Sequence, residues 1–159
     1  MLVERGWSIT QAGSTTSIVL WLVALSVPLG GFLADKTRRP ELVLIIGCIV
    51  FAMLMVATPR SDAVVPTMIV LGSVCGLAAG PILSLPAGVL EPGTRAIGMG
   101  VFYTVYYIGM MLGPALGGLC AKWAGTAGAA FDFGAAVILA CPVVLWVFRR
   151  IPRRSRAMM

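Results

Sequence analysis

Five long apolar runs dominate this sequence and restrict it to one kind of fold. They are bounded by charged residues, proline or glycine, and they cover about 14–34, 41–58, 64–90, 97–121 and 128–148. Each run is close to or above the about 20 residues that an α-helix needs to cross the hydrocarbon core of a bilayer. We therefore predict an all-α fold, a polytopic transmembrane helix bundle with five spans, in which residues 14–150 form one domain.

The overall composition is typical of a protein that has lipid as its solvent. Hydrophobic residues make up 59% of the chain and charged residues 11%, which leaves too little polar surface to cover a water-soluble globule. The net charge of +6 does not indicate nucleic-acid binding, because the basic residues lie in short clusters beside the apolar runs. We expect the lipid bilayer to be a partner and nucleic acid not to be one.

The residues that usually carry enzyme chemistry are scarce. The chain has no histidine, and its four cysteines lie in or at the ends of apolar runs without a CxxC pair: Cys48, Cys75, Cys120 and Cys141. Free cysteines in apolar surroundings are most often packing residues. We predict no metal site, no cofactor and no enzymatic activity.

The distribution of lysine and arginine predicts how the chain is oriented. One side of the membrane receives nine basic residues: Lys36, Arg38, Arg39, Arg95, Arg149, Arg150, Arg153, Arg154 and Arg156. The other side receives three: Arg5, Arg60 and Lys122. Because short cytoplasmic loops retain positive charge, residues 1–13 are predicted to be an external loop and residues 151–159 a basic cytoplasmic tail.

An external N-terminus followed by an odd number of spans is an unusual beginning for a complete membrane protein. We therefore expect the chain to be truncated at its N-terminal end. The alternative is that a short, weakly charged N-terminus crosses the membrane by itself.

A small-residue helix end leads into an acidic residue and a basic cluster between the first two runs. The residues concerned are Gly31, Asp35, Lys36, Arg38 and Arg39, and we call residues 31–39 the signature loop. This pattern resembles the loop signature of the major facilitator superfamily, although the second glycine of the family pattern is absent. A carboxylate at such a turn can accept hydrogen bonds from a neighbouring helix N-terminus, which makes Asp35 a candidate conformational latch. The alternative is an ordinary positive-inside turn.

The fourth run contains a regular series of small residues. They are Gly100, Gly109, Gly113, Pro114, Gly117 and Gly118. The spacing is similar to the glycine-rich motif in the fifth helix of drug-exporting members of the same superfamily, and the resemblance implies helix bending and close packing at a gate. Because the two halves of these transporters are parallel repeats, a related pattern can also occur in the eleventh helix. In the third run, Gly72, Gly76 and Gly80 lie at four-residue spacing, which predicts a close helix contact.

Two features favour the C-terminal half of such a transporter. The third run lacks the arginine that the fourth helix of the family usually carries, and the chain ends in a basic tail. The resemblance then implies helices eight to twelve. Arginine outnumbers lysine ten to two, which indicates a GC-rich bacterial genome and hence the bacterial inner membrane.

Several side chains are candidates for contact with a solute. Tyr103, Tyr106 and Tyr107 share one face of the fourth run and could line a central cavity. They could equally form an interfacial aromatic belt or hydrogen bonds between helices. Trp21, near the outer end of the first run, and Ser84, between Pro81 and Pro86, are further candidates. Asp132, near one end of the fifth run, is expected to cap a helix or face external water.

The resemblance to the major facilitator superfamily implies transport of a small solute by alternating access, as part of a secondary transporter. The partner would be the missing N-terminal half or a second copy of the chain, and the isolated fragment is expected to be inactive. The alternative is a small, non-transporting membrane protein that assembles with a partner through its glycine-lined helices.

Overall fold

The computed structural model describes residues 1–150, with side chains throughout that range except at 84–89 and 148–150. The predicted cytoplasmic tail, 151–159, lies outside the described residues. Five α-helices follow one another in the described part: α1 Ile9–Thr37, α2 Pro40–Ala57, α3 Val64–Val89, α4 Arg95–Ala124 and α5 Gly128–Arg150. Two short 3-10 helices, Val3–Arg5 and Thr58–Arg60, precede α1 and follow α2.

All five helices contain a stretch long and apolar enough to cross a membrane. No β-strand occurs among residues 1–150. The prediction of an all-α bundle with five spans is therefore confirmed.

Helix α1 begins earlier than the apolar run suggested, at Ile9 instead of residue 14. Ser8 caps it, since its hydroxyl accepts the backbone N–H of Gln11 at 3.2 Å and the Gln11 side chain accepts the N–H of Ser8 at 3.2 Å. This reciprocal capping box satisfies donors that the first turn would leave free. Residues 9–13 of the predicted loop are consequently helical.

The helices form a connected bundle in which α4 stands at the edge. Helix α1 packs most extensively against α3, α3 also packs against α2, and α2 packs against α5. Leu44, Cys48 and Ala78 form a buried cluster where α2 meets α3, and Ile138 and Cys141 of α5 pack against it. Helix α4 contacts α5 and, less extensively, α3.

Four glycines allow α1 and α3 to approach backbone to backbone. We call Gly30, Gly72, Gly76 and Gly80 the glycine seam. A Cβ atom on Gly76 would overlap the carbonyl group of Ser26, and one on Gly30 would overlap the carbonyl oxygen of Gly76. A Cβ atom on Gly72 would lie 3.0 Å from the Val19 side chain. The small-residue face of α3 therefore makes the close helix contact that its spacing predicted.

We predict that Gly76→Ala destabilises the bundle whereas Gly109→Ala does not. Alanine favours a helix interior over glycine by about 1 kcal/mol in both cases. At Gly76 the new methyl meets backbone atoms of α1, and such overpacking costs about 1–3 kcal/mol or more. At Gly109 nothing lies within 4 Å of the added atom.

Thermal unfolding of the purified chain in detergent can be followed with a thiol-reactive dye, because Cys48 is fully buried in the folded bundle and the other three cysteines are partly buried. Gly76→Ala should lower the unfolding midpoint, and Gly109→Ala should leave it unchanged or raise it slightly. Equal midpoints for the two variants would show that the seam does not hold α1 against α3.

Candidate functional site

Most of the signature loop is helical, since residues 31–37 belong to α1, and Arg38 and Arg39 make the tight turn into α2. Helix α1 ends at Thr37 and α2 begins at Pro40, a favoured residue type for the first helical position. Arg38 has a left-handed backbone, with φ of 53°, and donates its N–H to the carbonyl of Asp35 at 3.2 Å. Glycine adopts this conformation at low cost. The turn would therefore favour the second glycine of the family pattern, which this chain lacks.

The charged side chains of the signature loop are exposed. The structure brings Asp35, Lys36, Arg38 and Arg39 together at one end of the bundle. Arg38 and Arg39 border an open cavity of about 430 Å³, which the first residues of α2 also line. Among the described residues, the Asp35 carboxylate has no hydrogen-bond or ion-pair partner, so its latch function stays a prediction.

Only one glycine of the α4 motif packs against another helix of the described chain. A Cβ atom on Gly117 would lie 3.7 Å from the side chain of Ala130 and 3.9 Å from that of Phe133, both on α5. Nothing within 4 Å would meet a Cβ atom on the other four: Gly100, Gly109, Gly113 and Gly118. An apolar groove of about 470 Å³ lies between this part of α4, including Pro114, and α5. The packing and gating roles of the motif stay predictions.

The three tyrosines of α4 form one cluster. The ring centroids of Tyr103 and Tyr107 lie 6.1 Å apart in a stacked arrangement, and those of Tyr106 and Tyr107 lie 5.5 Å apart edge to face. Tyr103 and Tyr107 are 37% and 63% exposed. The structure adds Phe102, whose ring stacks on Tyr106 at 6.1 Å. Sequence reasoning missed it, although its four-residue spacing from Tyr106 places both on the same helix face.

Trp21 and Ser84 are the other two candidates for contact with a solute. Trp21 is 71% exposed on α1, where a shallow cavity of about 360 Å³ is lined by α1 residues alone. The side chain of Ser84 lies outside the described part of the structure.

Two arginines tie elements together at the end opposite the signature loop. Arg60 makes a bidentate ion pair with Asp132 of α5, with N–O distances of 2.8 and 3.0 Å. Arg5 donates to the carbonyls of Ser61 at 2.7 Å and Pro59 at 2.5 Å. The N-terminal segment, the α2–α3 connection and the start of α5 therefore meet at one end.

The ion pair gives Asp132 a partner that the sequence-based expectation, a helix cap or a side chain facing external water, did not include. Asp132 does not cap α5, which begins at Gly128, and its carboxylate contacts Arg60 as well as facing outward. The predicted orientation already placed Arg60 and Asp132 at the same end of the bundle, so the sequence indicated that the two side chains could meet. The sequence did not show that α2 packs against α5, which is what brings the two residues together.

Comparison with protein families decides what this bundle is. The sequence model of the Major Facilitator Superfamily matches residues 1–157. The chain belongs to the major facilitator superfamily. Comparison with curated proteins gives no match, and comparison with solved structures gives none either.

Membership of the major facilitator superfamily makes this chain a transporter-type, multi-pass membrane protein, since members of that family are transporters and not enzymes. The two motifs that resemble the family's occupy the α1–α2 turn and helix α4. They lie on two exposed regions of the bundle, and Gly117 is the buried glycine of these motifs.

We predict that Arg38→Gly stabilises this superfamily member. A left-handed residue other than glycine costs about 1–2 kcal/mol, and glycine loses about 0.5–1 kcal/mol in chain entropy, so the net gain is at most about 1.5 kcal/mol. The unfolding midpoint should rise by at most about 6 °C. Arg39→Gly removes the same charge at a residue with φ of −136° and should lower the midpoint. Equal changes in the two variants would contradict the backbone argument.

We also predict that the ion pair between Arg60 and Asp132 can be exchanged. Arg60→Asp alone opposes two carboxylates, and Asp132→Arg alone opposes two guanidinium groups, so each should lower the unfolding midpoint. The double variant restores opposite charges and should recover part of the loss. The recovery should shrink at high salt, because exposed pairs are screened. A double variant no more stable than the single ones would show that the contact contributes nothing.

Proposed function

We propose that this chain forms the C-terminal half of a major facilitator superfamily transporter and moves a small solute by alternating access. In this proposal α1 to α5 are helices eight to twelve, and the second half of the solute pathway comes from an N-terminal half or from a second copy of the chain. The membrane is the bacterial inner membrane, with the signature loop in the cytoplasm.

The observation that carries the proposal is the exposure of α4. Of its 30 residues, Gly117 is the buried one, although α4 carries a glycine motif suited to close helix packing. A helix that faced lipid alone would need only large apolar residues. Four open glycines on α4 therefore favour a helix from another unit as their neighbour.

The tyrosine cluster supports a solute pathway beside that neighbour. Tyr107 lies twelve residues after the first residue of α4, so it is about 18 Å along an axis of about 45 Å. A hydrocarbon core of about 30 Å centred on the helix would place it about 10 Å below the surface of that core. Phenolic hydroxyls at that depth favour water, a solute or a partner helix over lipid tails.

The charges at the two ends support the proposed orientation. The signature loop presents Lys36, Arg38 and Arg39 to solvent. At the other end, Arg60 is paired with Asp132 and Arg5 is bound to backbone carbonyls. The freely exposed basic side chains of the signature loop are those that the positive-inside rule places in the cytoplasm.

The isolated chain is proposed to be inactive, because alternating access in this family requires two bundles that rock around a shared site. The open glycines also suit the alternative function, a non-transporting protein that assembles with an unrelated membrane partner. The transporter proposal requires an N-terminal half or a second copy of the chain, whereas the assembly proposal requires an unrelated membrane protein.

The first test is to read the DNA upstream of the Met1 codon for about 700 bases, enough for six or seven further spans. We expect an open reading frame in register with the chain that encodes apolar spans and a second signature loop. An unrelated upstream gene, together with a stable complex of the chain with a different membrane protein, would reject the transporter proposal in favour of assembly.

We predict that single Tyr→Phe changes at Tyr103, Tyr106 and Tyr107 alter solute affinity in the joined transporter. Each lost hydroxyl contact is worth about 1 kcal/mol, which is about a fivefold rise in KM. Phe102→Leu is the control, because it removes a ring without removing a hydroxyl. If all three Tyr→Phe variants keep the parental KM while Phe102→Leu alters folding or insertion, the cluster is an aromatic belt.

A further inference from the structure

Ser26 places a hydroxyl group inside the glycine seam. The residue is 7% exposed, and its Oγ lies within hydrogen-bond distance of three backbone groups. It accepts the N–H of Gly76 at 3.0 Å. As a donor it faces two carbonyl oxygens, that of Val23 in its own helix at 3.0 Å and that of Gly72 in α3 at 3.1 Å.

The two α3 groups that Ser26 contacts are normally partners of each other. Gly72 and Gly76 are four residues apart, and in an α-helix the N–H of the later residue bonds to the C=O of the earlier one. The Ser26 hydroxyl thus contacts the donor and the acceptor of one turn of another helix, which is continuous over Val64–Val89. Insertion of a side chain into this ladder is one of the identifiable causes of a helix kink.

The close approach depends on the glycines. A Cβ atom on Gly76 would overlap the backbone of Ser26, and one on Gly72 would crowd Val19 and Leu22. Any other residue at Gly76 would force the helices apart and move Oγ out of hydrogen-bond range. The seam and the inserted hydroxyl therefore form one arrangement.

The hydroxyl has one proton and two acceptors. When Ser26 donates to Gly72 and accepts from Gly76, it competes with the α3 ladder bond between these two groups. When it donates to Val23, the N–H of Gly76 is free to bond to Gly72, and α3 regains a regular turn. Each arrangement contains two hydrogen bonds among these groups, so their exchange leaves no buried polar group without a partner.

We propose that Ser26 is a hydrogen-bond switch that allows α3 to bend at Gly72–Gly76. Rotation of one hydroxyl moves α3 between a bent form, with Ser26 bonded to both α3 groups, and a straight form, with Ser26 bonded within α1. Pro81 follows five residues later and has no N–H for the carbonyl of Leu77, so two weakened turns lie close together. The switch itself does not require the proposed function. Only the purpose of the bend rests on it, since the bend would move the transporter between its access states.

The test measures the bend without a solute, so its failure is separate from failure of the transport proposal. Spin labels are introduced as unnatural amino acids at Asp62 and Glu91, two exposed residues just outside α3, which leaves the native cysteines in place. Electron–electron double resonance then gives the distance distribution across α3 in lipid nanodiscs. The parent chain should show two components, a shorter one for the bent helix and a longer one for the straight helix.

Ser26→Ala should abolish the shorter component, because Gly72 and Gly76 can then bond only to each other. Ser73→Ala is the matched control: Ser73 is exposed on the same helix and donates to the carbonyl of Ile69 at 2.9 Å. It should leave the distribution unchanged. Ser26→Cys keeps a weaker donor and should reduce the shorter component without abolishing it, which provides a second variant if Ser26→Ala does not fold.

A single narrow distance in the parent chain would overturn the proposal whatever the variants show. So would a distribution that Ser26→Ala and Ser26→Cys leave unchanged, since Ser26 would then only hold two helices together. A shift of equal size in Ser73→Ala would also overturn it, because the effect would then not depend on the inserted hydroxyl.

Discussion

The contact between α1 and α3 is the interaction on which the rest of the bundle depends. These helices approach so closely that backbone atoms of one occupy the space where side chains of the other would stand. In a bilayer, apolar side chains gain little by leaving lipid for another helix, so close van der Waals contact and interhelical hydrogen bonds hold helices together. The glycine seam supplies the first and Ser26 supplies the second. Helix α2 packs on the pair, and α5 packs on α2.

Two sets of glycines in this chain have different surroundings. Those of the seam, together with Gly47, lie against the backbone of a neighbouring helix. Those of α4 are mostly open, and α4 itself is the outer element of the bundle. Glycines thus form the contact between α1 and α3 inside the chain, whereas most glycines of α4 form a surface that no other helix of the described chain covers. This contrast is the structural basis for proposing that a second unit packs against α4.

The two ends of the bundle also differ in how they use charge. Arg5 and Arg60 are bound to partners at the end that is proposed to be external. At the signature loop, Arg38 occupies a left-handed turn, and the charged side chains extend into solvent. One end is therefore tied together by polar contacts across three elements, whereas the other presents its charges outward.

The sequence by itself determined the number of helices, their transmembrane character and the close contact made by α3. Long apolar runs and four-residue glycine spacing act locally, so they can be read without knowing which helix is adjacent to which. The family motifs could be recognised for the same reason. The tertiary structure decided which helix receives each face: α1 meets α3, α2 meets α5, and α4 stays at the edge. Ser26 between Gly72 and Gly76, and Asp132 beside Arg60, are contacts between residues 46 or more positions apart, and sequence periodicity carries no information about such pairs.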